Sequence, residues 1–579
     1  MDKKTCKIRI DGIYTEVPEG ITILKAAESI GIKIPTLCYD EKLSVSGACR
    51  LCSVEIKSNA ALVPACAYPV SQGMEIYTHS AKVLRSRKTI IELLLANHPQ
   101  DCLICVRNGN CELQKIAEEY GIREWRWQGE KRHNPIDSSS SAIKRQPDMC
   151  ILCGKCVKVC KEVQSVYALD FSGRGFNTVV LPAFNQPLAD TVCVLCGQCL
   201  LACPTAAIVD KSYTKIVRKA LDNPEMYCVV QVAPAIRASI GEEFGMAPGT
   251  LVTGKLVTAL KRMGFKLIFD TVFGADVAVM EEGSELIERI KQGGPFPMFT
   301  SCSPGWIKFM EHFYPEFIPN MSSCKSPQQI TGILVKTYLA ERMNIDPANI
   351  FNVSIMPCSA KKFEIERPEL RLENGIKEVD AVLTTRELAR LLKTYGINLP
   401  LLEDGEFDQP LGETSGAGVE FGVTGGMMEA ALRTVAEKLG GVDLRNVEFS
   451  VTRGYQGVKE GSVFVGDLEL KVAIVHGLKN ARLILDKIKS GETFYHFIEV
   501  MACPGGCVGG GGQPLNTNDE IRKLRIAAIY QEDRAKPIRK AHENPAIKDL
   551  YRSWLGEPMS PKSHAYLHTH YGPRKPRGV

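Results

Sequence analysis

Residues 150–160 read CILCGKCVKVC and residues 193–204 read CVLCGQCLLACP. Both runs place cysteine at the same steps, Cys150, Cys153, Cys156 and Cys160 in one and Cys193, Cys196, Cys199 and Cys203 in the other. The chain around them has 579 residues and 22 cysteines, with 71 Lys+Arg against 66 Asp+Glu, 45% hydrophobic and 24% charged residues. Only the cysteine departs from an ordinary globular composition, and the length predicts roughly three to five domains. The basic residues form no tracts, so nothing in the charge pattern proposes nucleic acid as a partner. The opening MDKKTCKIRIDGIYTEV alternates as a strand does, no apolar signal region follows it, and no run of about eighteen apolar residues occurs. A cytoplasmic protein with no membrane contact is therefore expected, and in that reducing compartment dense cysteine argues for metal or redox chemistry over disulfides.

Working outward, residues 1–80 read as a small β-rich unit: strands at KIRI and TEVP, a helix at ITILKAAESIG, then SVEIKS. Its loops hold Cys38, Cys49, Cys52 and Cys66. A second segment, 81–138, opens with SAKVLRSRKTIIELLLANHP, whose helical periodicity stops at Pro99 and delivers His98 and Cys102. The polar stretch from Gly121 to Gln146, with its SSSS, reads as a connection. Residues 139–211 carry the two cysteine runs. Beyond, in 212–579, strands such as CVVQVA, KLIFD, FPMFTS, NVSIMP, AVLTT and FIEVMA alternate with helices such as TGKLVTALKRMG and TTRELARLLKTYG. That alternation predicts an α/β domain with mostly parallel strands, arranged in two sheets. Cys302, Cys358, Cys503 and Cys507 each follow such a strand, at the carboxyl ends where open α/β sheets bind ligands.

The two quoted runs resemble those of bacterial two-cluster ferredoxins, in which the fourth cysteine of each run serves the other cluster. One 4Fe-4S cluster is thus expected on Cys150, Cys153, Cys156 and Cys203, and another on Cys193, Cys196, Cys199 and Cys160. Zinc binds thiolates at such spacing too, but zinc sites are not built as two interleaved runs of four. Cys38, Cys49, Cys52 and Cys66 have the Cys-x2-Cys core of a 2Fe-2S site with a long first gap, and zinc or plain core cysteine competes there. His98, Cys102, Cys105 and Cys111 fit a 4Fe-4S cluster with one imidazole ligand, whereas a lone histidine is ordinarily a core or surface residue. The Gly-rich VGGGGQP after Cys503-Pro-Gly-Gly-Cys507 lacks the Lys-Ser/Thr of a phosphate loop.

Taken together, FTSCSPGW around Cys302, MPCSAKKFE around Cys358 and MACPGGCVGGGGQP resemble the three catalytic signatures of the iron-iron (FeFe) hydrogenases, and the resemblance spans nearly the whole chain. It is strongest to catalytic subunits of NAD(P)-coupled enzymes and to clostridial ferredoxin-linked ones. The front end alone also resembles a respiratory NADH dehydrogenase subunit, a family without the three rear signatures. The resemblance implies an α+β multidomain chain: a β-grasp 2Fe-2S domain, a His/Cys cluster domain, a two-cluster ferredoxin-like domain and the α/β catalytic domain. It implies one 2Fe-2S cluster, three accessory 4Fe-4S clusters and an H-cluster, a 4Fe-4S cubane joined through a cysteine sulfur to a two-iron subsite with CO, cyanide and a dithiolate. Carried over by motif, Cys358, Cys503 and Cys507 are cubane ligands with Cys507 the bridge. Lys361 would bond a cyanide, and Pro234, Ala235, Met356 and Met501 would wall the subsite. Cys302, Glu282, Ser322 and Glu285 would relay protons, although an acidic pair on a helix is ordinarily a solvated face.

The implied activity is reversible conversion of H2 to protons and electrons. The electrons would run through the accessory clusters to ferredoxin or to flavin- and NAD(P)-binding subunits, and maturation proteins would supply the two-iron subsite. One departure stands out: the family's first signature has a second cysteine where this chain has Ser303, so the cubane-ligand position holds a harder, far less acidic donor. Ser303 oxygen, Cys302 or Cys324 could complete the ligation, or the chain could be an impaired, sensory or electron-transfer relative. Cys6, Cys228 and Cys324 are otherwise expected in the core, and the tail LHTHYGPRKPRGV carries no assigned role.

Overall fold

The structure, a computed structural model, describes residues 4–124, 126–127, 129–441, 448–465 and 468–575. The chain divides into two compact units, Met1–Glu162 with Tyr167–Thr191 and Ala202–Val209, and Val163–Val166 with Val192–Leu201 and Asp210–Val579.

In the smaller unit, β1 (Thr5–Ile10) and β2 (Ile13–Pro18) form an antiparallel hairpin with Ile8 opposite Thr15. Cys6, Ile8 and Ile10 face the core, as the alternation predicts. Helix α1 (Ile23–Ser29) starts at Thr22, whose hydroxyl accepts from Lys25 N, and buries Ile23, Leu24, Ala26 and Ala27. With β3 (Ser53–Ile56), β4 (Val63–Pro64) and β5 (Glu75–Tyr77) the sheet has the order β2-β1-β5-β3-β4, and β1 pairs with β5 in parallel. Helix α2 (Ala81–Asn97) is capped by Ser80 and ends at His98 before Pro99. It buries Val83, Arg87 and Ile91, while Leu84 of the same apolar set is exposed. Arg87 is accommodated because its guanidinium donates to Ser53 O at 2.9 Å. The serine run expected as a loose connection is a tight turn: Ser140 Oγ accepts from Ala142 N and Ile143 N, and Asp137 bridges to Arg145.

The larger unit has two four-stranded sheets. Its strands are β6 (Tyr227–Val232), β7 (Leu267–Asp270), β8 (Met298–Phe299), β9 (Ile350–Met356), β10 (Ala381–Thr384), β11 (Val458–Val465), β12 (Leu468–His476) and β13 (Phe497–Met501). One sheet, β7-β6-β9-β10, is parallel throughout, and the other, β8-β13-β12-β11, is parallel except for the β11–β12 hairpin. Strands β10 and β13 are buried at every residue, so they show no polar–apolar alternation, and the one charged member, Glu499, is satisfied by the backbone N–H groups of Gly425 and Met428. Helix α3 (Thr271–Gln292) is capped by Asp270, which accepts from Val272 N, and is buried over most of its length. Helix α4 (Pro304–Phe313) leaves the sheet directly after β8. Among the described residues no helix is long and apolar enough to cross a membrane.

Candidate active site

Four strands end at one place. The residues just beyond β6 (Ala233, Pro234, Ala235), β8 (Cys302, Ser303), β9 (Pro357, Cys358) and β13 (Ala502, Cys503, Cys507) line a cavity of about 780 Å³. Met356, Met501 and Phe421 complete an apolar wall, and Lys361 brings a cation to it. The expected residues Ser303, Cys358, Cys503, Cys507, Lys361, Pro234, Ala235, Met356 and Met501 therefore share one cavity. Glycine allows the loops this close: a Cβ on Gly510 would lie 2.2 Å from Pro357 O, and one on Gly506 would lie 2.7 Å from Thr424 N.

Burial raises the Cys358, Cys503 and Cys507 thiols, and their mutual repulsion as thiolates adds to it for Cys503 and Cys507, with Cys507 pushed up to about 12. Three thiols whose ionisation burial disfavours, gathered on one mostly apolar wall, are a donor set that a positive centre would turn into thiolates. Cys503 Sγ lies 3.9 Å from Cys196 O, so the second ferredoxin-like run touches the cavity wall. Lys361 Nζ donates to Ser326 Oγ at 2.6 Å and lies 2.8 Å from Glu364 Oε2. Glu364 in turn accepts from Gln328 Nε2 at 2.8 Å, which fixes the lysine at the wall.

Beside the cavity, Glu282 and Glu285 project from α3 and are 2% and 6% exposed, so they are not a solvated face. Burial, with Glu285 next, raises Glu282 to about 8. Its Oε1 lies 3.1 Å from Ser301 Oγ, which is also 2.6 Å from Cys324 O. Ser301 has one proton to give and the carbonyl is the nearer acceptor, so a proton on Glu282 completes the other contact. Ser322 Oγ donates to Glu285 Oε2 at 2.8 Å and stands close enough to Glu282 to act against the rise, while Glu282 Oε2 has no hydrogen-bond partner among the described residues. Cys302, its thiol raised by burial and then by Glu282 and Cys507, stands between the cavity and this pair. Arg289 was not foreseen: its guanidinium lies 2.6 Å from Glu285 Oε1, the i,i+4 spacing that the helix pattern already contained.

In the smaller unit, Cys38 and Cys49, and Cys52 and Cys66, hydrogen-bond pairwise through their side chains, and all four sense one another's charge. Cys150, Cys153, Cys156 and Cys203 line one small cavity with Pro147 and Pro204. Buried His98 has an Nδ1 with no hydrogen-bond partner, and burial lowers the imidazole to about 4, so it is a neutral donor at physiological pH. Cys105 lies close enough to Cys111 to raise it, whereas Cys102 is exposed. Cys193, Cys196 and Cys199 belong to the larger unit, while Cys160 belongs to the smaller one.

Cys6, Cys228 and Cys324 are core residues. Cys324 Sγ donates to Lys325 O at 3.4 Å and is absent from the cavity wall. The tail is packed through Arg574, whose Nε lies 2.6 Å from Glu311 Oε2. Thr569 N donates to Ser323 O, and His568 bridges Ser323 Oγ and Glu281 Oε2 at 2.8 and 3.0 Å. Its polar composition reads as solvated, yet His568 and Arg574 each find a buried partner.

Residues 226–511 match the iron only hydrogenase large subunit, C-terminal domain, and residues 519–574 match the iron hydrogenase small subunit. Residues 3–81 match a 2Fe-2S iron-sulfur cluster binding domain, 87–126 the NADH-ubiquinone oxidoreductase-G iron-sulfur binding region, and 149–207 a 4Fe-4S dicluster domain. The chain is 50% identical to the NADP-reducing hydrogenase subunit HndD of Solidesulfovibrio fructosivorans, over 98% of this chain and 99% of that one. It is 42% identical to iron hydrogenase 1 of Clostridium pasteurianum, over 97% of this chain and 99% of that one. A solved structure of a variant of the FeFe-hydrogenase HydA1 from Chlamydomonas reinhardtii is 42% identical, with a TM-score of 0.57, over 62% of this chain and 99% of that one.

Proposed function

The chain belongs to the iron hydrogenase family and is an enzyme that oxidises H2 reversibly, and on that premise we propose which of its residues carry the reaction. The full-length likeness to two chains named as hydrogenases favours this over the impaired relative that Ser303 suggested. Cys358, Cys503 and Cys507 would hold the cubane of the H-cluster, with Ser303 on the same wall at the position of a fourth ligand. When bound, the H-cluster supplies a Lewis-acidic iron with an open position beside a base, which together split H2 heterolytically. Lys361 presents a charge-assisted donor to an anionic ligand of the subsite, and Glu364 and Ser326 keep it pointed there. Pro234, Ala235, Met356 and Met501 exclude water.

The proton leaves through Cys302, Glu282, Ser322 and Glu285. As Ser322 Oγ hands its proton to Glu285 Oε2 it takes one from a neutral Glu282, which leaves Glu282 as the anion and Glu285 neutral beside Arg289. Electrons pass to a 4Fe-4S cluster held by Cys193, Cys196 and Cys199, aided by the Cys503–Cys196 contact. From there they pass through a 4Fe-4S cluster on Cys150, Cys153, Cys156 and Cys203 and the His98-ligated 4Fe-4S cluster, with the 2Fe-2S cluster on Cys38, Cys49, Cys52 and Cys66. Their acceptor is ferredoxin or a flavin- and NAD(P)-binding partner subunit, the second in keeping with the likeness to an NADP-reducing hydrogenase subunit.

The observation that carries this reading is the convergence of three thiols and Lys361 on one mostly apolar cavity, with a buried carboxylate pair beside it. Assaying H2-dependent reduction of ferredoxin and of NADP+ separately, with the purified native complex, tests the acceptor. Reduction of neither, where an artificial dye is reduced, would remove both acceptors from the proposal.

A further inference from the structure

Ser303 is the N-cap of α4, a position at which serine ordinarily accepts a hydrogen bond from the helix's own backbone. Ser80 accepts from Val83 N, Ser415 from Gly418 N and Ser560 from Ser563 N, at 3.1–3.3 Å, whereas Ser326, which precedes a proline as Ser303 does, makes no capping bond and instead meets Lys361 and Glu364. Ser303 makes no such bond. Its hydroxyl oxygen meets only Ala502 N, at 3.4 Å, and its proton has no acceptor among the described residues. The side chain lies on the cavity wall with Cys358, Cys503 and Cys507, and the two loops come off adjacent parallel strands, β8 and β13.

The other cysteine sulfurs are accounted for. Cys324 is fully buried away from the cavity, bonded to Lys325 O. Cys302 is on the wall, next to Ser301, whose backbone N–H and hydroxyl meet Glu282, and it serves the proton relay. Cys196 is on the wall as well, yet it belongs to a run of four thiols with a cluster of its own. Among the described wall residues, Ser303 is the hydroxyl beside the three thiols whose proton has no acceptor.

We propose that the fourth protein ligand of the cubane is the deprotonated Ser303 oxygen, giving a donor set of three thiolates and one alkoxide. This rests on the reading of the cavity as an H-cluster site. The step is a ligand exchange: an iron–Oγ bond forms, the bond from that iron to a solvent-derived hydroxide breaks, and the serine proton departs with that hydroxide as water. No iron changes oxidation state. The Lewis acidity of iron offsets the cost of ionising a hydroxyl that stays neutral in water. A hard alkoxide favours the ferric state more than a thiolate does, so the cubane should be reduced at lower potential than its four-thiolate counterpart.

The test uses the full chain carrying its accessory clusters and cubane, expressed without the maturation proteins so that the two-iron subsite is absent. Serine labelled with the magnetic isotope of oxygen is incorporated, and pulsed EPR of the reduced protein is compared with that of Ser303→Ala and Ser303→Cys. The expected result is a strong oxygen hyperfine coupling in the parent that both variants lose, with iron content preserved in Ser303→Cys. The accessory clusters have no serine ligand and are common to all three proteins. A parent without that coupling, yet with more iron per chain than Cys358→Ala, overturns the alkoxide ligand while leaving the H-cluster reading intact. Equal iron in the parent and Cys358→Ala overturns that reading, and this inference with it.

Discussion

Ser322 Oγ donates a 2.8 Å hydrogen bond to Glu285 Oε2 and stands close enough to Glu282 to act on its carboxyl, so one hydroxyl links two buried carboxylates. Removing it should break the relay without opening the fold, because Ser322→Ala deletes one atom at a site whose backbone stays held by Phe299 O. Turnover is expected to fall about 10²–10⁴-fold in both directions, the range for losing a positioned proton-transfer group. Dye-linked H2 oxidation and evolution assays check it, and iron content and cluster EPR should stay unchanged.

Glu282 should be a protonated acid at neutral pH. Burial, the larger cause, and Glu285 raise it to about 8, so it keeps its proton below that pH and loses it above. The negative charge of a bound cubane pushes in the same direction. Infrared difference spectra should show a buried carboxylic C=O band that persists at pH 7, fades only above about pH 8, and is missing in Glu282→Gln. The sign for stability is opposite to the usual carboxylate case. The unfolded chain releases this proton near the ordinary glutamate value and the folded one does not, so this group erodes stability as pH rises through that window. Glu282→Gln should therefore be more resistant to unfolding than the parent at pH 8 and indistinguishable at pH 4, while being inactive.

Lys361 is fixed by Glu364 and Ser326 and is the cation on the cavity wall. Lys361→Met should retain the cubane and bind the two-iron subsite about 10–100-fold more weakly, the cost typical of losing an orienting contact around a metal. Iron analysis after maturation, compared with the unmatured protein, gives the readout. Full loading of Lys361→Met would contradict the assigned role.

Gly510 tests how tightly the loops are packed. A Cβ there would lie 2.2 Å from Pro357 O, the residue before Cys358. Backbone cannot yield that far without moving Cys358 away from Cys507, so Gly510→Ala should lower cubane occupancy and H2 turnover together, leaving accessory-cluster EPR unchanged.

His98 presents a neutral nitrogen because burial lowers it to about 4. His98→Cys should keep the iron count and lower the potential of that cluster, since an anionic thiolate replaces imidazole. Potentiometric EPR reads the shift, and an unmoved potential would remove His98 from the ligand set.

Much of this was legible in the sequence because cluster ligands come at fixed short spacings and parallel strands read as apolar runs. The quoted cysteine runs, the end of α2 at His98, and the strands preceding Cys302, Cys358 and Cys503 were all readable in that way. Long-range partners left no such trace. Ser326 behind Lys361, Ser301 against Glu282, and Arg574 on Glu311 are contacts between segments apart in sequence, and each residue alone reads as ordinary surface polarity. Residues 519–574 hid their likeness to a hydrogenase small subunit for the same reason: their polar side chains reach across the fold to buried partners.

The most direct test of the account is H2-dependent reduction of a dye by the matured protein, with the infrared bands of CO and cyanide recorded on the same sample. The account predicts turnover and those bands in the parent, bands without fast turnover in Ser322→Ala, and neither in Cys507→Ala. A parent chain that shows the bands of a loaded subsite yet neither consumes nor evolves H2 would contradict it.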